Sequence, residues 1–338
     1  MCGICGEIRF DSTAPDRARI QRMMDRLARR GPDNQGCYIN ANVGLGHRRL
    51  AIIDLSDKAS QPMVDKQHGL SLVFNGTIYN YPELREKLIA KGHRFVSTGD
   101  TEVILKAYAE WGVDCLQYLH GMFAFAIRDE NNGRLLLARD RIGIKPLYFS
   151  HDSSRLLFAS TTQALLGADA TIDTSIDAFA MHNLFSLHAV VPAPRTILKG
   201  IRKLRPAHYM VFSDDGSVTE NRYWTLTARR PDKAMDESEW IDAIHDSLRR
   251  SVERRLKIAD VPVGVLLSGG IDSSLLVALL NEAGAKGLKT FSVGFEDQPE
   301  EKGNEFEYSD AVADKYATEH HRFLVPNDQV LPRLPEAF

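Results

Sequence analysis

The sequence predicts two domains of different class, a strand-rich α+β domain followed by a parallel α/β domain. Three observations lead there. Up to about Leu204 the chain reads as many strands and few helices that do not alternate strictly, the pattern of a layered α+β domain. A polar stretch with a proline, "TARRPDKAMDES", then reads as a linker. From Trp240 the order becomes helix, strand, loop, helix, strand, which begins a parallel sheet. A chain of 338 residues suits two domains.

The elements follow in order. "CGICGEIRF" is a short apolar run, read as the first strand. "DRARIQRMMDRLARR" places Ile20, Met23, Met24 and Leu27 on one helical face. "VGLGHRRLAIID" alternates as a strand does. "GLSLVFNGTIYN" is another strand, predicted to break at Asn75-Gly76, a strong turn dipeptide. "YPELREKLIAKG" and "DTEVILKAYAEWG" are helical patterns that each end in glycine. "MFAFAIRDENNGRLLLARD" predicts a hairpin through Asn131-Asn132-Gly133. "RLLFAST" adds a strand, and "KLRPAHYMVFSDDGSVTENRYW" a closing hairpin. Beyond the linker come the helix "WIDAIHDSLRRSVERRLK", the strand "VPVGVLL", the helix "LLVALLNEAG" and the strand "KTFSVGF". Two strands are fewer than the roughly five of a typical sheet, so the second domain is expected to be truncated.

Composition narrows the classes of function. Hydrophobic residues make up 43% and charged residues 26%, so ordinary cores can form. A formal net charge of -3 supplies no basic field for nucleic acid or an anionic membrane. Apolar runs fall far short of the ~20 residues a membrane span needs, and nothing after Met1 reads as a signal peptide. Four cysteines, Cys2, Cys5, Cys37 and Cys115, are too few and too spread for a disulfide scaffold. The expectation is a soluble cytoplasmic protein with reduced thiols.

In "VLLSGGIDSS", Ser268, Gly269 and Gly270 follow an apolar strand, and Asp272, Ser273 and Ser274 open a helix. Glycines let a backbone approach an anion, and a helix N-terminus adds free N–H groups and the positive dipole end. No Walker lysine is present. A plain glycine turn with a serine or aspartate cap is the competing interpretation.

At the other end stands "MCGICGE". A zinc site needs four ligands, and no second C-x-x-C exists. A redox pair should follow a strand and open a helix, which a motif at residue 2 does not. The third possibility is a nucleophile at the chain end. If Met1 is removed, the Cys2 thiol lies beside a free α-amine whose pKa of about 7.7–8.0 suits it as a base.

The company Cys2 keeps decides among these. "RRGPD", "GHRRLAIIDL", "FNGTIYN", "GDTEVIL", "GMFAFAIRD" and "RDRIGIKPLYF" follow in order. With the Cys-Gly-Ile-Cys-Gly start they resemble class II glutamine amidotransferase domains. The string "LLSGGIDSS" resembles the pyrophosphate loop of the ATP pyrophosphatase superfamily. Together with "VPAPRTILKGIRKLRPAH" it narrows the resemblance to the asparagine synthetase family, over essentially the whole chain. The resemblance implies an N-terminal nucleophile, four-layer αββα domain over residues 1–210 and a closing hairpin and linker over 211–236. An incomplete, Rossmann-like ATP-pyrophosphatase domain would fill 237–338.

It also implies roles. Cys2 would attack the side-chain amide of glutamine, and Asn75 and Gly76 would form the oxyanion hole. Arg49 would hold the glutamine α-carboxylate and Asp100 would face its α-amine. ATP would lie on Leu267, Ser268, Gly269, Gly270, Asp272, Ser273 and Ser274, with Val293 and Gly294 against adenine and ribose. Magnesium is inferred from polyphosphate chemistry, without an assignable ligand. The acceptor would be a carboxylic acid, aspartate or an N-acetylated dipeptide, and a homodimer is a compatible assembly. Taken without the resemblance, Arg49 and Asp100 read as surface charges and Asn75-Gly76 as a turn.

Two departures point to a side branch of the family. Thr77 stands where a glutamate is usual, and Thr161 and Gln163 stand where glutamate and lysine are. The branch that makes N-acetylglutaminylglutamine amide is the nearest fit. A chain that acts only as a glutaminase or a binding module is the rival reading.

Overall fold

The computed structural model describes residues 1–297 and 302–337. The chain divides into two units, Met1–Thr227 and Ala228–Phe338. The first unit begins with β1 (Gly3–Arg9), α1 (Arg17–Arg26), β2 (Asn34–Asn40), β3 (Val43–Arg49), β4 (Met63–Asp65) and β5 (Leu70–Ile78). There follow α2 (Tyr81–Ala90), α3 (Asp100–Trp111), α4 (Cys115–Tyr118), β6 (Gly121–Asp129), β7 (Arg134–Arg139), β8 (Tyr148–His151) and β9 (Arg155–Ala159). It closes with α5 (Thr162–Ala168), α6 (Ala178–Ser186), β10 (Arg202–Lys203), β11 (His208–Ser213) and β12 (Val218–Arg222).

These strands form two antiparallel six-stranded sheets, ordered β10-β8-β9-β1-β3-β2 and β12-β11-β7-β6-β5-β4. Three apolar clusters show how the layers stack. Ile4, Ile8 and Leu45 of the first sheet meet Val73, Ala126 and Leu137 of the second, so the sheets pack face to face. On the outer face of the first sheet, Ile20, Met23 and Met24 of α1 lie with Leu165 of α5. On the outer face of the second, Leu84 and Leu88 of α2 and Ile104 of α3 meet Phe74 and Phe125. The result is helix, sheet, sheet, helix. The apolar face of α1 matches its sequence pattern, since Asp16 caps it and Ile20, Met23 and Met24 are buried. Each such side chain stabilises the fold by about 1.5–3 kcal/mol.

One expectation fails instructively. Asn75-Gly76 does not break β5, which runs on to Ile78. Asn75 pairs with Ala124 and Gly76 with Phe123 of β6. A Cβ on Gly76 would lie 2.2 Å from the Met122 carbonyl oxygen and 2.6 Å from the Phe74 ring. The glycine is there for close approach, and the ladder on β6 overrides the local turn preference.

The second unit contains α7 (Glu237–Ile258), β13 (Gly264–Leu266), α8 (Ile271–Glu282), β14 (Lys289–Phe295), α9 (Phe306–Lys315), β15 (Glu319–Val325) and α10 (Asn327–Ala337). Asp236 and Glu239 form a reciprocal capping box at the start of α7. Val252, Val265, Leu267, Val277 and Leu280 make its core. Its sheet, β13-β14-β15, is parallel. Three strands replace the two expected. The third, "EHHRFLV", carries too many polar residues to read as a buried parallel strand, because only one edge of it is paired. Among the described residues no helix is long and apolar enough to cross a membrane, and all four cysteines are free thiols.

Candidate active site

A cavity of about 270 Å³ in the first unit brings together Cys2, Arg49, Asn75, Gly76 and Asp100, with Thr77 also on its wall. Cys2 directly precedes β1. Its thiol donates to the Leu50 carbonyl at 3.6 Å and accepts from the Leu50 N–H at 3.4 Å. Burial pushes the thiol up from its ordinary value, so as it stands the group is mostly protonated at neutral pH and needs a base. The neighbouring chain-terminal amine, on Met1 in this chain, is pushed down by burial and by the cations Arg30 and Lys145. Depression of that amine leaves more of it unprotonated at neutral pH, and so free to take a proton.

The edge of β5 supplies the donors. β4 pairs only with Leu70, Ser71 and Leu72, so among the described residues that edge has no neighbouring strand from Val73 onward. Side chains take over there. Gln61 Oε1 accepts from the Phe74 N–H at 2.6 Å, and His47 Nε2 meets the Phe74 carbonyl at 3.2 Å. Asp100 Oδ2 accepts from the Ile78 N–H at 3.0 Å. Backbone direction repeats every second residue in a strand, so the N–H of Gly76 points to the same edge, and no side-chain acceptor among the described residues meets it. Beside it, the Asn75 side chain is 1% exposed and its Nδ2 has no hydrogen-bond partner. Native structures leave few buried amides unpaired. Two unmatched donors, one backbone and one side chain, therefore adjoin in one cavity with a thiol.

Each charged wall residue is locally fixed. Arg49 donates from Nη1 to the Ser56 carbonyl at 2.9 Å and from Nη2 to the Asp54 carbonyl. Those two bonds brace the loop after β3 and leave other guanidinium N–H groups free, since arginine has five. Asp100 opens α3 and is 5% exposed. Burial raises its carboxyl to about 6, against the pull of the Ile78 N–H and of Arg49.

His47 is fully buried, and burial lowers its imidazole to about 3, so it is neutral and donates from Nε2 to Phe74. His47, Gln61, Thr101 and Lys145 lie at or behind the cavity and were not singled out in the sequence. Only the three-dimensional assembly of β3, the segment before β4, the start of α3 and the loop between β7 and β8 brings them there. Of the two departures after β9, Thr161 caps α5 by accepting from the Ala164 N–H at 3.2 Å, a position that favours threonine, and Gln163 lies exposed on that helix.

In the second unit, Gly269 has φ +85° and a Cβ there would come within 2.5 Å of Tyr308 Cβ. At Gly270 a Cβ would meet only Ser268 Oγ, at 3.4 Å, so the loop leaves open space over the start of α8. Ser268 Oγ and Ser273 Oγ are 3.0 Å apart, and the first amides of α8 lack intrahelical acceptors. Leu267, Ser268 and Val293 line a cavity of about 300 Å³ with Ser292 and Asn304. Gly269, Gly270, Asp272, Ser273, Ser274 and Gly294 do not line it. Gly294 instead makes room for Asn304, whose Cβ would be 2.5 Å from an added Cβ. Among the described residues, no group of three or more His, Cys, Asp or Glu is arranged to hold a metal ion.

Comparison with known proteins matches residues 1–224 to a glutamine amidotransferase domain and residues 243–338 to asparagine synthase. The chain is 34% identical to asparagine synthetase (glutamine-hydrolyzing) 3 of Bacillus subtilis, over 100% of this chain and 56% of that protein. It is 36% identical to putative asparagine synthetase (glutamine-hydrolyzing) 2 of Methanocaldococcus jannaschii, over 96% of this chain and 64% of that protein. A fungal relative, amidase chry2 of Gibberella zeae, is 36% identical over 80% of this chain and 40% of its own. The chain thus spans little more than half the length of the first two. Among solved structures, glutamine phosphoribosylpyrophosphate amidotransferase of B. subtilis superposes with a TM-score of 0.51 at 15% identity, covering 96% of this chain and 91% of that one. That likeness shows the fold alone.

Proposed function

Because the chain belongs to the glutamine amidotransferase domain family, we propose that its first unit hydrolyses glutamine at Cys2. In the full-length protein the second unit would use ATP to activate the carboxylate that receives the ammonia. The single observation that carries the first half is the unpartnered Asn75 Nδ2 beside the Gly76 amide, in the cavity that holds the Cys2 thiol.

With Met1 removed, the α-amine of Cys2 takes the thiol proton and Sγ attacks the side-chain carbonyl carbon of glutamine. Charge develops on the amide oxygen, where Asn75 Nδ2 and the Gly76 N–H meet it. The amine returns its proton to the departing nitrogen, ammonia leaves, and a thioester remains. Water then attacks the thioester, the thiol is regenerated and glutamate departs. Arg49 pairs with the substrate α-carboxylate through its free N–H groups. Asp100 pairs with the α-amine, which restores its ionised form. Thr77, on the same wall, takes the place of a second carboxylate contact.

In the second unit, the loop Ser268–Gly270, the first turn of α8 through Ser274, and the strand residues Val293 and Gly294 would hold ATP, whose cleavage between the α- and β-phosphates supplies an activated acyl group. Magnesium would be carried by the phosphates, with Asp272 the acidic group at the loop. Aspartate is the acceptor the curated relatives' names support best. The departures at Thr77, Thr161 and Gln163 favour an N-acetylated glutaminylglutamine dipeptide as the second reading.

Glutamate release and ATP–pyrophosphate exchange, measured separately on this chain and on the full-length protein, test the two halves. Glutamate release that disappears in Cys2→Ala, with exchange dependent on one defined acid, is expected. A Cys2→Ala variant that still hydrolyses glutamine would sink the first half, and exchange with neither aspartate nor the dipeptide would sink the second.

A further inference from the structure

We propose that Lys145 is a positioning residue for the nucleophile, its ammonium holding the Cys2 thiol and the amine beside it in their proton-poor forms. The inference rests on the reading of Cys2 as the group that attacks glutamine.

Lys145 sits in the loop between β7 and β8, and that loop is fixed from several sides. Asp140 Oδ2 accepts from the Lys145 N–H at 2.9 Å and from the Phe123 N–H at 3.1 Å, and Oδ1 accepts from the Ile144 N–H at 2.9 Å. Arg139 donates to the carbonyls of Lys145 at 2.8 Å and Gly143 at 2.7 Å. The lysine side chain is thereby delivered into the Cys2 cavity, where the residue is 5% exposed. Its one hydrogen bond among the described residues is to the Met1 thioether, 3.2 Å from Nζ, and a thioether is a weak acceptor. A buried ammonium without a carboxylate partner is destabilising, so its place needs a reason. Removal of Met1 takes the thioether away and leaves the ammonium in the cavity with the Cys2 thiol.

The surrounding charges leave Lys145 a distinct part. Arg30 donates from Nε to the Cys2 carbonyl at 3.1 Å and braces the backbone. Arg49 is bonded to the loop after β3. The carboxylate of Asp140 is committed to backbone amides. Asp33 and Asp100 oppose Lys145, and Tyr148 faces Arg30. Burial and Arg30 lower the ammonium of Lys145, while Cys2 and, after it, Asp140 raise it; the Cys2 contribution is the reciprocal of the effect inferred. A nearby cation favours thiolate and disfavours a second ammonium, so both effects move the reactive form to lower pH.

The test is the pH dependence of Cys2 alkylation by iodoacetamide, followed by peptide mass spectrometry on the full chain with Met1 removal verified. Glutamate release is measured alongside. In Lys145→Met the acid limb of alkylation is expected to move up by roughly 0.5–1 pH unit, with about a three- to tenfold slower reaction at pH 7. Lys145→Arg should restore the limb. An unmoved limb in Lys145→Met overturns the inference, and so does a slower reaction without a shift, which marks a structural prop. Should Lys145→Met fail to fold, Lys145→Gln carries the same measurement. If the parent chain releases no glutamate, the glutaminase reading falls, while the alkylation limb still decides whether Lys145 tunes Cys2.

Discussion

Asn75→Ala separates catalysis from stability. Oxyanion-hole donors are worth about 10²–10³ in kcat, or about 2.7–4 kcal/mol of the barrier. The folded state has little to lose. Asn75 Nδ2 makes no hydrogen bond, and a buried unsatisfied donor costs the native structure about 1–3 kcal/mol. Truncation removes that penalty and, in exchange, vacates the space of three heavy atoms in a wall that is already open to a cavity. The two effects nearly offset, so the melting temperature should move by no more than a few degrees, at 2–4 °C per kcal/mol for a domain of this size. The assay is steady-state glutamate release beside a thermal melt and the rate of Cys2 alkylation. The expected result is kcat down by two to three decades with folding and alkylation unchanged. A folded Asn75→Ala within fivefold of the parent kcat would refute the donor role. A loss that tracks a collapsed melt would show that the amide holds the strand and not the transition state.

Two further outcomes are expected. Asp100, raised to about 6 by burial, keeps its proton in the folded state at pH values where the unfolded chain has lost it; its contribution to stability is therefore present below about pH 4 and lost as pH rises through 6. Because only the carboxylate can pair with the α-amine of glutamine, KM for glutamine should climb as pH falls below about 6, and Asp100→Asn should raise KM and flatten that dependence; a pH-independent KM in the parent would contradict it. Gly269→Ala places a side chain at φ +85° and within 2.5 Å of Tyr308 Cβ, so ATP–pyrophosphate exchange in the full-length protein should fall at least tenfold while glutamate release persists; unchanged exchange would remove the loop from the ATP site.

Much of the frame was readable along the chain because the signals were local. The 3.6-residue apolar spacing of Ile20, Met23 and Met24, and the Asn-Gly hairpin between β6 and β7, each depend on a few neighbours. The candidate site was readable only through resemblance, since Arg49 and Asp100 carry no local mark that separates them from surface charges. Asn75-Gly76 misled because turn preference is weaker than a ladder of nine paired residues with β6. His47 and Lys145 lie inside stretches that carried the resemblance, yet nothing local gave them a role, and Gln61 left no signal. Their meaning comes from strands and loops that lie far apart in sequence and meet at the end of β5. The strand Glu319–Val325 was hidden for the opposite reason, its exposed face having the polarity of a loop.

The edge of β5 has a consequence for how molecules of this protein meet one another. An unpaired strand edge invites a second chain to continue the sheet. Here the stretch from Phe74 to Ile78 is closed by the side chains of Gln61, His47 and Asp100, with one amide, that of Gly76, left between them. A single free amide cannot begin a ladder. The device that leaves one donor for a reacting oxygen thus also leaves other chains little of a template for pairing along this edge.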